Sequence, residues 1–138
     1  MQNITSPRTD DDAIEQEIKS KGLTAPRVTP NDIETNIASE HFFTAANGNE
    51  HELAHSIGNE SGDSYECLRL LTFCVLVLKN GFTVTGESAC ASPENFDADL
   101  GRKIARENAK QKLWPLMGYA LKQQLHEAAV EEGALNLA

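Results

Sequence analysis

The chain has 138 residues, 40% of them hydrophobic, and 21 acids against 12 bases give a formal net charge of -9. The length suits one small domain. The acidic balance argues against a binder of long nucleic acids, which needs a basic surface, and against membrane adhesion through a polybasic patch. Charge is uneven along the chain: residues 1–66 hold 13 acids and 4 bases, whereas residues 67–138 hold 8 of each. The start, Met1 to Arg8, lacks the apolar core of a signal peptide. Residues 1–26 are polar and read as an acidic mobile tail with a short helix over 12–21. Residues 27–138 then read as a single α+β domain.

Within that domain the first signal is a helix start. Thr29 suits the N-cap, Pro30 the first turn, and Asp32 the positive helix end, and Ile33 with Ile37 share a face, so the pattern predicts a helix over 30–38. His41-Phe42-Phe43-Thr44-Ala45 reads as a strand closed by Asn47-Gly48. Residues 49–66 are acidic, contain Gly58 and Gly62, and read as a flexible connection. Leu70 to Lys79, Asn80-Gly81 and Phe82 to Ala89 read as a β-hairpin with a two-residue type I′ turn. That turn pairs Lys79 with Phe82 and Val77 with Val84, which puts Phe73, Val75, Val77, Phe82 and Val84 on one face. Cys74, Leu76 and Leu78 take the other, with Thr83 and Thr85. A strand apolar on both faces is expected at the centre of a sheet, covered on both sides. Ser92-Pro93 halts the second strand. A helix is expected from Ala98 to His126 with a kink at Pro115, then a second helical stretch ending near Gly133. The predicted architecture is α+β, a small antiparallel sheet with a central hairpin packed against a long kinked C-terminal helix.

The odd cysteine count (Cys67, Cys74, Cys90) has no metal-ligand spacing, and Cys74 lies in an apolar run as a buried thiol, which suggests a reduced, cytosolic protein. The longest apolar run, Leu70 to Leu78, is too short to span a bilayer.

Several blocks occur in an order that resembles a known family. They are Arg27-Val28-Thr29-Pro30 with Asp32-Ile33-Glu34, His41-Phe42-Phe43-Thr44, and Leu71 to Phe82. Gly86-Glu87-Ser88-Ala89-Cys90, Pro93 to Asp97, and Lys112-Leu113-Trp114 with Gly118-Tyr119 and Leu121 follow. They resemble a small family of tailed phages and prophages named after gene forty-nine of phage N-four and gene sixty-six of phage Sf-six, over about residues 27–125. The hairpin, the Asn-x-Asp loop and the long helix are also similar to the first kind of Thoeris anti-defence sponge. That likeness implies a phage accessory protein in the cytoplasm of an infected bacterium. It would sequester a cyclic ADP-ribose-type signal at the interface of a homodimer or larger homo-oligomer, without turnover and without a cofactor.

The residues give a matching set of candidates. Asn95 and Asp97 can hydrogen-bond a base or ribose, Phe96 can stack on a base, and the helix start favours a phosphate. The same residues also serve as plain helix caps and core. Arg102, Arg106 and Lys110 recur at four-residue steps, with Leu100 and Ile104 pointing the other way. Residues 98–125 hold six bases and two acids. Arg102 and Arg106 suit a pyrophosphate and Lys112 adds a point charge, or the bases form a solvated helix face. Phe82 is either a pocket lip or core. Trp114 and Tyr119 suit the core or a dimer interface. Cys90, near the helix start, reads as a structural thiol.

His51-Glu52-Leu53-Ala54-His55 spells a rival, the zinc peptidase motif. On a helix the two His share a face and hold Zn²⁺ while Glu52 activates water. Position 61 is Ser where the longer form of the motif places a third His, which leaves Glu60 or Glu66 as third ligands. No nucleophile elbow, P-loop or dinucleotide fingerprint is present. A third class, a phage protein–protein adaptor, would use the hairpin edge and the helix as contact surfaces.

Overall fold

The computed structural model describes residues 7–58 and 62–137. It resolves into two compact units, one continuous from Asn36 to Gln111 and one made of Met1–Thr35 with Lys112–Ala138. The fold is α+β, as the pattern predicts.

The continuous unit is built on a three-stranded antiparallel sheet in the order β1-β2-β3, with β1 Ile37–Thr44, β2 Leu71–Leu78 and β3 Thr83–Ala89. Strand β2 is central, as its apolar run requires. Its alternate residues Thr72, Cys74, Leu76 and Leu78 are buried. Each such side chain, fully covered, contributes about 1.5–3 kcal/mol if it is as large as Leu76. Helix α4, Ala98–Gln111, covers this face by packing on β2 and β3. It approaches through Gly101, Ala105 and Ala109, one small residue per turn and all buried. Gly86 on β3 is what admits the helix. A Cβ there would stand 2.2 Å from both the Ala105 carbonyl oxygen and the Ala109 amide nitrogen. The opposite face carries the tilted pair Phe43–Phe73, with ring centroids 5.8 Å apart. There Leu71, Val75 and Val77 are only half-buried, so β2 is fully covered on one side, not on both.

The hairpin departs from the expected turn by one residue. Leu78 donates its N–H to the Phe82 carbonyl at 2.8 Å, and Gly81 donates to the Leu78 carbonyl at 2.8 Å. Lys79-Asn80-Gly81 is therefore a three-residue loop. A type I′ turn needs positive φ at both central residues, but here Gly81 alone takes it (φ +88°). The Asn80 side-chain oxygen accepts the Phe82 amide at 2.9 Å and fixes this shape. The one-residue slip pairs Leu76 with Val84 and Val77 with Thr83. It moves Val84 to the face covered by α4, because side chains alternate along a strand.

Strand β1 begins four residues before its expected start. Thr44, instead of lying inside a strand that reaches Ala45, caps the short helix α3, Ala45–Asn49. Its hydroxyl accepts the Asn47 amide at 3.1 Å, and the Asn47 side chain accepts the Thr44 amide at 2.8 Å. Asn47-Gly48 is thus helical. The stretch read as a connection, 49–66, runs into tight 3₁₀ turns over Gly62–Leu70, so β2 starts at Leu71 instead of Leu70.

In the second unit, α1 (Pro7–Ser20) lies in the segment expected as a tail, and covers the short helix expected there. Arg27 forks onto Glu15 at 2.6 and 2.9 Å and ties α1 to the chain before α2, Pro30–Thr35. The Arg27 guanidinium holds the Glu15 carboxyl below its ordinary range. Thr29 and Asp32 cap α2 reciprocally, at 3.1 and 2.9 Å. The helix stops at Thr35, so Ile37 belongs to β1 instead of sharing a helical face with buried Ile33. Helix α5 runs unbroken from Leu113 to Leu137, past Gly133. The helical run is interrupted at Lys112, one turn ahead of Pro115 where the break was expected. Proline offers no N–H to the Gln111 carbonyl and its ring crowds that group, so the helix breaks where the carbonyl lies.

Candidate functional site

The site takes shape at one end of the sheet, where β1 ends, β2 begins and α4 starts. Phe42, Phe43, Thr44, Asn47, Thr72, Phe96, Ala98 and Arg102 line a notch of about 100 Å³. Each part has a local cause. Thr44 and Asn47 are locked by their mutual capping bonds. Thr72 is buried beneath Gly101, whose added Cβ would touch the Thr72 hydroxyl at 3.1 Å. Phe96 sits after a 3₁₀ turn, Pro93–Asn95, and is half-buried. Arg102 lies on the first turns of α4, 44% exposed and paired with Asp99.

The notch unites two of the expected ligand residues, Phe96 and Arg102. The others are placed elsewhere. Asp97 caps α4, its carboxylate accepting the Leu100 amide at 3.0 Å and its carbonyl the Gly101 amide at 2.8 Å. Asn95 is exposed in the 3₁₀ turn and does not line the notch. Arg106 is turned to β1, where its Nε donates to Glu40 at 3.0 Å. Phe82, at the hairpin tip, is 54% exposed. The length of β3 separates it from the notch end, roughly 20 Å at the rise of an extended strand. Lys112 is exposed and belongs to the other unit. Lys110, expected on one face with Arg102 and Arg106, is buried beside Glu107 at 3.3 Å. Leu100 and Ile104, expected to point away from these bases, are themselves exposed, by 52% and 38%.

Sequence reasoning missed Thr44, Asn47 and Thr72. The spelling Thr-x-x-Asn at 44–47 is a readable cap signal, but nothing local says that this cap meets the start of α4.

The peptidase motif loses its scaffold. His51, Glu52 and His55 are exposed and lie in a turn and coil after α3, not on a helix. The His51 ring nitrogen Nδ1 accepts the Leu53 amide at 3.1 Å. Among the described residues no group of three His, Cys, Asp or Glu side chains is placed to hold a metal. Glu66 is exposed and pairs with Arg69 at 3.9 Å, and Glu60 lies outside the described residues. Cys74 is fully buried, and that burial pushes its thiol up to about 11. Cys90 is half-buried and donates its S–H to the Ser92 carbonyl at 3.1 Å. Tyr119 is 74% exposed, which excludes it from the core, while Trp114 is half-buried. No helix among the described residues is long and apolar enough to cross a membrane.

The family model described as "Phage protein (N4 Gp49/phage Sf6 gene 66) family" matches residues 28–125. No curated protein and no solved structure matches.

Proposed function

The chain belongs to the phage protein family of N4 Gp49 and phage Sf6 gene 66, and we propose that it is a non-catalytic binding protein that captures a cyclic nucleotide signal of the cyclic ADP-ribose class in the host cytoplasm. The observation that carries this reading is the meeting of Phe96 and Arg102 in one notch with Thr44, Asn47 and Thr72. An aromatic ring offers a stacking surface for a base, and a guanidinium fork suits a phosphate. The expected ligand set contracts accordingly to Phe96 and Arg102, with Asn95, Asp97, Arg106, Lys112 and Phe82 outside the notch lining. A volume of about 100 Å³ is below the ~300–1,000 Å³ that encloses a whole small molecule. The notch takes one base or one phosphate, and a homo-oligomer would cover the remainder of the signal.

Thermal shift against cyclic ADP-ribose isomers and cyclic oligonucleotides tests the reading. A ligand at a hundredfold its Kd stabilises the native state by about 2.7 kcal/mol. A rise in Tm with one of these compounds, abolished by Arg102→Ala, is expected. An unchanged Tm at saturating concentrations of every compound sinks it.

A phage protein–protein adaptor is the second reading, favoured by the apolar sheet face where exposed Phe43 lies beside half-buried Phe73 and Val75.

A further inference from the structure

Thr72 is the one buried polar residue of the notch, 3% exposed, and its hydroxyl has no hydrogen-bond partner among the described residues. The atoms nearest a methyl built on Gly101 are the Thr72 hydroxyl oxygen at 3.1 Å, its Cβ at 3.7 Å and a Phe96 ring carbon at 4.0 Å. The hydroxyl, not the side-chain methyl, therefore faces the first turn of α4 beside Phe96. A buried hydroxyl left unpaired costs stability, and native chains keep few of them without a use.

The polar groups around this hydroxyl have donors to spare and acceptors already spent. Asn47 gives its side-chain oxygen to the Thr44 amide and keeps its amide N–H groups. The Ala98 amide opens α4, so it has no partner within the helix. Arg102 adds a guanidinium. By contrast, the Thr44 hydroxyl accepts the Asn47 amide and the Asp97 carboxylate accepts the Leu100 amide. A base edge presents N–H groups and needs acceptors as well as donors, whereas an oxyanion needs donors alone. One carboxylate already uses the guanidinium, since Asp99 pairs with Arg102. The Asp99 side chain is 85% exposed, so it gives way to water at little cost. We propose that the notch seats one compact oxyanion, such as a phosphoryl group, on Thr72, Asn47, Arg102 and the Ala98 amide, with Asp99 as the carboxylate it displaces. The inference rests on the nucleotide reading and decides which part of the signal enters: the phosphate goes in and the base stays outside.

Nuclear magnetic resonance of the isotope-labelled full chain tests it, by titration with inorganic phosphate against chloride at matched ionic strength. Shifts at the Ala98 and Asp99 amides and at the Asn47 side-chain amide are expected. Adenosine, a base without a phosphate, should leave them in place. Thr72→Val keeps the shape of the side chain and drops the hydroxyl. It should weaken phosphate by about tenfold or more. Its Tm should be equal or higher, because an unpaired hydroxyl has left the core. Asp99→Asn should tighten phosphate by a few-fold, since the competing carboxylate is gone. Phosphate that leaves these amides unmoved, an affinity indifferent to Thr72→Val or unimproved by Asp99→Asn, or shifts produced by adenosine overturns the proposal. A chain whose Tm rises with a cyclic nucleotide but whose notch ignores phosphate keeps the nucleotide reading and loses this one. Phosphate seated in the notch with no response to any nucleotide does the reverse.

Discussion

Gly86 shows how much one missing side chain decides. The backbone of α4 lies directly on β3 at this point, and a Cβ would sit 2.2 Å from two helix backbone atoms. Backbone cannot turn aside as a flexible side chain can, so the helix itself must lift. Gly86→Val should therefore destabilise the chain by about 3 kcal/mol or more, at or beyond the upper end of overpacking costs. Chemical denaturation with a linear extrapolation reads this. The sequence marks Gly86 as a glycine inside a strand, and such a residue signals close backbone approach. It does not say which backbone approaches. The same holds at the site, where Asp97 is legible as a cap but the encounter of Thr44, Thr72 and Phe96 is not. Thr44 and Thr72 are close only because residues 28 positions apart pair in the β1–β2 register, and Phe96 joins them from the turn before α4.

Among the elements, the hairpin is legible in the sequence as a hairpin, but its register lies one residue from the expected one. Asn-Gly favours a type I′ turn, yet Lys79 joins the loop and Gly81 alone takes positive φ. Both registers satisfy the turn. Only the one found places Val84 under α4, so tertiary burial decides between them. Gly81→Ala puts a Cβ in the left-handed region, which costs roughly 1–2 kcal/mol. A thermal melt should show this loss, without the larger penalty expected at Gly86, because nothing lies within 4 Å of the added atom. The starts of α2 and α4 are legible because Thr29 with Asp32 and Asp97 with Leu100 are local hydrogen-bonding signals. Helix ends are less legible. Lys112 is broken by a proline three residues later, a displacement that follows from bonding four residues back.

For the whole molecule, protection should follow the layering. The amides of β2 are central in the sheet and lie under α4, so they should open only with global unfolding. Amides in the exposed stretch His51 to Gly58 should exchange fastest among those described. Native-state hydrogen exchange followed by mass spectrometry checks this order, and rapid exchange of Cys74 or Leu76 would contradict the described core. The net charge of -9 also looks different once the fold is known. The notch contains a cation and no acid, although Asp99 pairs with that cation at its edge. An acidic total therefore leaves room for a small anion at this one place.

The division of the chain into a continuous unit and a split one has a consequence for synthesis. Residues 36–111 are contiguous, so sheet, α4 and notch can assemble as soon as Gln111 clears the ribosome. The other unit has to wait, because α2 precedes the sheet and α5 is translated last. The continuous unit is thus complete before the last element of the split one has been made.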